Sequence, residues 1–174
     1  EILFEGYKRN SEKHRLLFLV GVYQEKSGRR DPCIATMRKV IVADPENSSA
    51  YNYLGYLFAE AGENLEEAEA LIRKALQIKP GDGYYLDSLG WVYYQRGEFE
   101  KALSTLKQAL EVVPEEGVVI EHIADVQVAT GRANEANDGY KQALEKKLDK
   151  KDRTRIEGKI RKLSQSTGAE KNAP

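Results

Sequence analysis

The sequence predicts an all-α chain built from antiparallel helix pairs. Three observations lead there. First, small residues recur every 34 or 35 positions in two series: Gly21, Gly55, Gly90 and Ala124, then Cys33, Ala68, Ala102 and Ala136. A period of that length marks a repeat architecture. Second, glycine and proline punctuate the periodic stretches at Gly28, Pro45, Gly62, Pro80, Gly97, Pro114 and Gly131. There they end helices rather than interrupt them. Third, few residues are β-branched, which favours helix over strand.

The elements follow in order. Residues 1–13 open with EILFEGYKR. Leu3, Gly6 and Asn10-Ser11 sit one period before Met37, Val40 and Asp44-Pro45. The stretch reads either as the second helix of a truncated preceding repeat or as a short N-terminal capping helix. Residues 14–47 form the next unit. Leu17, Val20 and Gly21 mark its first helix, and Asp31-Pro32 is expected to cap and start its second. Cys33, Met37 and Val40 share one face. Gln24 stands where an aromatic is usual, with Tyr23 beside it to compensate.

Residues 48–82 carry Tyr51, Leu54, Gly55 and Phe58, then Ala68, Ile72 and Ala75. Asn64 with Glu67 reads as a capping box. Residues 83–116 carry Leu86, Leu89, Gly90 and Tyr93, then Ala102, Leu106, Ala109 and Pro114. Residues 117–150 repeat the pattern with Ile120, Ile123, Ala124, Gly131, Ala136, Tyr140 and Ala143. Leu148 replaces the closing proline, so this second helix is expected to run longer. Residues 151–164 place Ile156, Ile160 and Leu163 at i, i+4 and i+7, as in a helix that covers the last apolar face and turns a polar side outward. The tail, 165–174, is expected to be disordered.

The spacing in Gly83–Pro114 resembles the tetratricopeptide repeat signature. That resemblance implies a right-handed solenoid of about four units, with a preceding half repeat and a C-terminal capping helix. It also implies protein–protein interaction, as an adaptor or scaffold with no catalysis and no cofactor. The LDSLGW and NYLGY segments are similar to bacterial members. In this family the first helices of successive units line an inner wall.

The residues left over from the core faces predict what that wall presents. One stripe is Tyr84, Asp87, Trp91 and Tyr94. One period earlier it reads Ser49, Asn52, Tyr56 and Ala59, and before that Arg15, Phe18, Val22 and Glu25. One period later it reads Val118, Glu121, Asp125 and Val128. The candidate partner-binding residues are therefore Phe18, Val22, Asn52, Tyr56, Tyr84, Asp87, Trp91, Tyr94, Glu121 and Asp125. Tyrosine and tryptophan anchor interfaces because each buries a large area and keeps a polar tip. The same aromatics could instead pack between neighbouring helices. Phe18 and Val22 stand where chaperone-binding members begin a carboxylate clamp, so that ligand is not expected. An apolar peptide carrying Lys or Arg is.

Composition narrows other functions. The chain has 174 residues, 27 basic and 28 acidic, for a net charge of −1. Near-neutrality argues against nucleic acid as a partner, which a basic excess would favour. Lys141 to Lys162 holds ten Lys or Arg, which keeps an anionic surface as a lesser alternative. No apolar run is long enough to span a membrane. Cys33 is the single cysteine; at a small-residue core place it reads as a buried, inert thiol. The compartment stays open between the cytoplasm and a bacterial periplasm, for a chain that reads as lacking its true N-terminus. His14 and His122 have no metal-ligand spacing and are expected at the surface. Two further roles stand beside the adaptor: a self-assembling scaffold paired through the N-terminal helix, and the accessory array of a larger enzyme.

Overall fold

The structure is a computed structural model that describes the backbone of residues 2–170 and the side chains of residues 12–165. Among the described residues there are nine α-helices and no strand. They fall into two compact units, Glu1–Pro80 and Gly81–Pro174. The first holds α1 (Ile2–Lys26), α2 (Arg30–Ala43), α3 (Ser48–Ala61) and α4 (Leu65–Ile78). The second holds α5 (Gly83–Gln95), α6 (Phe99–Val112), α7 (Gly117–Ala129), α8 (Ala133–Leu144) and α9 (Lys150–Glu170).

Two devices build each pair. The turn between its helices carries a left-handed glycine: Gly28, Gly62, Gly97 and Gly131 have φ between +67° and +77°. Glycine adopts that conformation without a Cβ penalty and satisfies the helix's last carbonyls. Mid-helix, a second glycine lets the partner approach in the first three pairs, and Ala124 takes its place in the fourth. A Cβ on Gly55 would lie 2.6 Å from Ile72 and 2.9 Å from the Ala68 carbonyl oxygen, and one on Gly90 would lie 2.6 Å from Leu106. The facing residues Ala68, Ile72, Ala102 and Leu106 are fully buried. Cys33 is buried too, and burial pushes its thiol pKa up. At the end of the second unit, Ile120, Ala124, Ala136, Tyr140, Ala143 and Ile156 form one core across α7, α8 and α9.

Several local expectations are corrected. The break at Asn10–Ser11 is absent, and α1 is one helix through Lys26. Asn-Ser lacks the proline that follows Asp44, and each residue costs an exposed helix only tenths of a kcal/mol. The side chains up to residue 11 lie outside the described residues. Asp31 is not a cap, because α2 starts at Arg30 and takes Asp31 into its first turn, where its charge suits the helix dipole. Asn64 adopts φ 48° and makes no side-chain cap bond. Tyr23 is 65% exposed, so it does not replace the missing aromatic at Gln24.

In the second unit α8 ends at Leu144 rather than running on. Its stop is made by backbone instead of proline: Lys147 N donates to Glu115 O and Gly117 N donates to Lys147 O. Finally, α9 continues to Glu170. Residues 165–170 are helix rather than disordered tail, and the last four residues lie outside the described ones.

Candidate functional site

The repeat period brings one set of the candidate residues together in the second unit. Glu121 and Asp125 on α7 are 34 residues from Arg155 and Lys159 on α9. The same spacing aligns Gly90, Ala124 and Gly158. Helix α9 therefore stands in register as the first helix of a further repeat, and the inner stripe continues onto it as Arg155, Lys159 and Lys162. The sequence carried this signal in the period itself. The capping reading considered only the apolar face of α9.

Three rows of side chains cross this face. In the first, His122 Nδ1 lies 2.8 Å from Asp87 Oδ1. A carboxylate only accepts, so Nδ1 donates. His122 is 4% exposed, which corrects the surface placement expected of it. Its ring stacks on Trp91 at 4.3 Å, and Trp91 stacks on Tyr94 at 4.6 Å. Burial works to lower the imidazole pKa. The Asp87 carboxylate, with Asp125 and Glu121 behind it, outweighs burial and raises it.

The second row is an ion-pair network. Glu121 is fully buried. Arg155 donates to it through two nitrogens, at 2.8 and 2.6 Å, and Lys159 Nζ lies 2.7 Å away. Burial alone would raise the Glu121 pKa, but these donors bring it below the ordinary value. Lys159 also donates to Asp125 at 2.6 and 2.8 Å, and Tyr140 Oη donates to Asp125 at 2.6 Å. Burial and this bond push the Tyr140 pKa up.

The third row is open. Tyr94, Val128 and Lys162, again 34 apart, flank a cleft of about 380 Å³ completed by Asp125, Tyr140, Lys159 and Leu163. Val128 is 41% exposed. Tyr84, at the other end of α5 from Tyr94, does not line this cleft; it is 53% exposed, with its hydroxyl donating to Glu116 at 2.9 Å.

In this unit the structure brings Asp87, Trp91, Tyr94, Glu121 and Asp125 together, but all three carboxylates are matched within the chain. The negative charge expected to meet a basic peptide is neutralised by His122, Arg155 and Lys159. Phe18, Val22, Asn52 and Tyr56 belong to the first unit and are half-buried. There Phe18 packs edge-on against Tyr53 at 5.7 Å, and Tyr53 donates to Glu25 at 3.3 Å. No group of three metal-ligating residues occurs among the described residues, and no helix is long and apolar enough to cross a membrane.

Comparison with known proteins agrees with the helix-pair fold. Residues 46–115 match the tetratricopeptide repeat family. Over those residues the chain carries tetratricopeptide repeats. It is 36% identical over 98 residues to a TPR repeat-containing protein of Pseudomonas aeruginosa, across 56% of this chain and 17% of that one. It is 26% identical over 103 residues to the mitochondrial import receptor subunit TOM70 of Mus musculus, across 59% of this chain and 16% of the receptor. The tetratricopeptide chain thus spans about a sixth of the length of these curated relatives. A thermophilic TPR protein of Thermus thermophilus shares the fold, with a TM-score of 0.74 at 23% identity, covering 90% of this chain and 84% of that one.

Proposed function

We propose that this chain is an adaptor that holds an extended segment of a partner protein across the inner faces of α5, α7 and α9. Tetratricopeptide repeats are protein–protein interaction scaffolds in general, and generally not catalysts. The observation that carries the finer reading is the open row Tyr94, Val128 and Lys162. It offers an aromatic ring, an exposed apolar side chain and a cation beside a cleft of about 380 Å³. Arg155 and Lys159 are engaged with Glu121 and Asp125, whereas Lys162 makes no ion pair among the described residues. The fitting ligand is a segment with an apolar residue next to an Asp or Glu.

This replaces the basic peptide that the free carboxylates would have favoured. Catalysis is no part of the reading, since the Asp87–His122 pair lies beneath Trp91, out of reach of a substrate. An anionic polymer fits less well. Lys146, Lys147, Arg155 and Lys159, all in the basic segment, pair with acids of the chain.

Trp91 is the sole tryptophan and stacks on Tyr94, so its fluorescence reports on the site. Titration with short peptides pairing Leu or Phe with Asp or Glu should change that signal. Lys162→Glu and Val128→Asp should each weaken binding about tenfold or more, which is about 1.4 kcal/mol. Affinity unchanged in both variants would refute this placement of the site.

A further inference from the structure

Three buried carboxylates of the second unit, Asp87, Glu121 and Asp125, meet only two fixed cations. Arg155 and Lys159 of α9 pair with Glu121 and Asp125, and Arg155 is shared with a further acid, Asp152. Among the described residues Asp87 has neither Lys nor Arg as a partner; it has His122, which is buried with it. An unpaired buried charge is costly. This corner of the unit is therefore balanced only while the imidazole carries its second proton.

We propose that the proton on His122 positions the wall of the cleft: the imidazolium holds Trp91, and through it Tyr94, in place for a partner's acidic and apolar residues. The inference rests on the reading of that cleft as the partner site. The link is a run of stacked rings. His122 lies 4.3 Å from Trp91 with the ring planes 23° apart, and Trp91 lies 4.6 Å from Tyr94 at 16°. A cation this close to an indole face is attracted to it. Tyr94, the last ring, lines the cleft. His122 itself meets no ligand and acts through Trp91.

The charges around His122 favour its proton. Asp87 faces it from α5, and Glu121 and Asp125 from its own helix; together they raise its pKa against burial. From α9, Arg155 and Lys159 are held by Glu121 and Asp125, and from α8 the Tyr140 hydroxyl donates to Asp125. The titratable side chains of α6, and those of α8 other than Tyr140, are exposed. The proton that leaves as pH rises is the one on Nε2, because Asp87 holds Nδ1–H. Asp87 then keeps its hydrogen bond but loses its counter-charge, and Trp91 loses its cation. An anionic ligand loses a nearby positive charge at the same step, so both effects weaken binding as pH rises.

Trp91 is the sole tryptophan, which makes the step visible without a ligand. An imidazolium in ring contact quenches indole emission. Emission should therefore rise between about pH 5 and about pH 9, with a midpoint above the ordinary imidazole value of about 6.5. Quenching of Trp91 by acrylamide should increase across the same step as the stack loosens. His122→Gln should abolish the step, and His14→Gln, at the other histidine, should leave it in place. Asp87→Asn removes the main group that raises the pKa and should move the midpoint down, which keeps the test open if His122→Gln does not fold. A short peptide pairing Leu with Asp should bind about fivefold or more tightly below the midpoint than above it, and by reciprocity should raise the midpoint.

Emission flat across that range overturns the proposal, as does a step that survives His122→Gln. So does an acrylamide access or a peptide affinity that stays constant across the step. A peptide that binds at no pH, while acrylamide access still changes with the step, sinks the choice of ligand and supports the positioning role of His122.

Discussion

At the scale of single residues, two kinds of position decide stability. The first is the mid-helix glycine. Gly90 has Leu106 where its own Cβ would be, so Gly90→Leu must push α6 away from α5. Overpacking of this kind costs about 1–3 kcal/mol, and chemical denaturation should show it as a lower midpoint with an unchanged slope. The second is the buried His122. Its raised pKa means that the folded state binds the imidazole proton more tightly than the unfolded chain does. The Asp87–His122 contribution is therefore complete below the unfolded value of about 6.5 and is lost as pH rises through the higher folded value. The melting-temperature gap between the wild type and Asp87→Asn should narrow as pH rises above about 6.5. A gap constant across that range would mean the pair stabilises only as a neutral hydrogen bond.

At the scale of elements, α9 is attached by charge as much as by apolar packing. Glu121 is fully buried and has Arg155 and Lys159 as its cations. Breaking a buried pair from one side leaves an uncompensated charge and costs about 3–5 kcal/mol. An Arg155→Met, Lys159→Met double variant should lose about that much and loosen α9, with faster amide exchange from Lys150 onward. Adding Glu121→Met should recover most of the loss, because an apolar replacement of the whole group removes the desolvation cost as well. Equal stability of the double and triple variants would show that Glu121 finds water once its cations are gone.

At the scale of the molecule, stability should be graded along the chain. Repeat arrays gain stability from neighbours, and the helices with most neighbours open last. Helix α7 packs against α5, α6 and α8, whereas α1 shows an open apolar stripe. Amide exchange in dilute solution should be slowest in α7 and fastest in α1. Uniform protection along the chain would speak against the gradient.

The sequence by itself determined the helical class and the family, because both rest on local rules: a period of 34, glycine at the turns, and small residues where helices meet. It also picked out one stripe of positions left over from the core faces, among them Asp87, Trp91, Tyr94, Glu121 and Asp125. Only the tertiary structure decided what that stripe offers. Asp87, Glu121 and Asp125 look like free acids in a linear reading. Whether a carboxylate is free depends on which cation lies within about 3 Å, and here the cations come from residues 34 or 35 positions away. The burial of His122 and the pairing of the α9 cations were hidden for the same reason, although the 34-residue period already gave the register of α9. Lysine and arginine on a helix read as solvated face until a neighbouring helix brings acids against them, and only three-dimensional packing sets that distance.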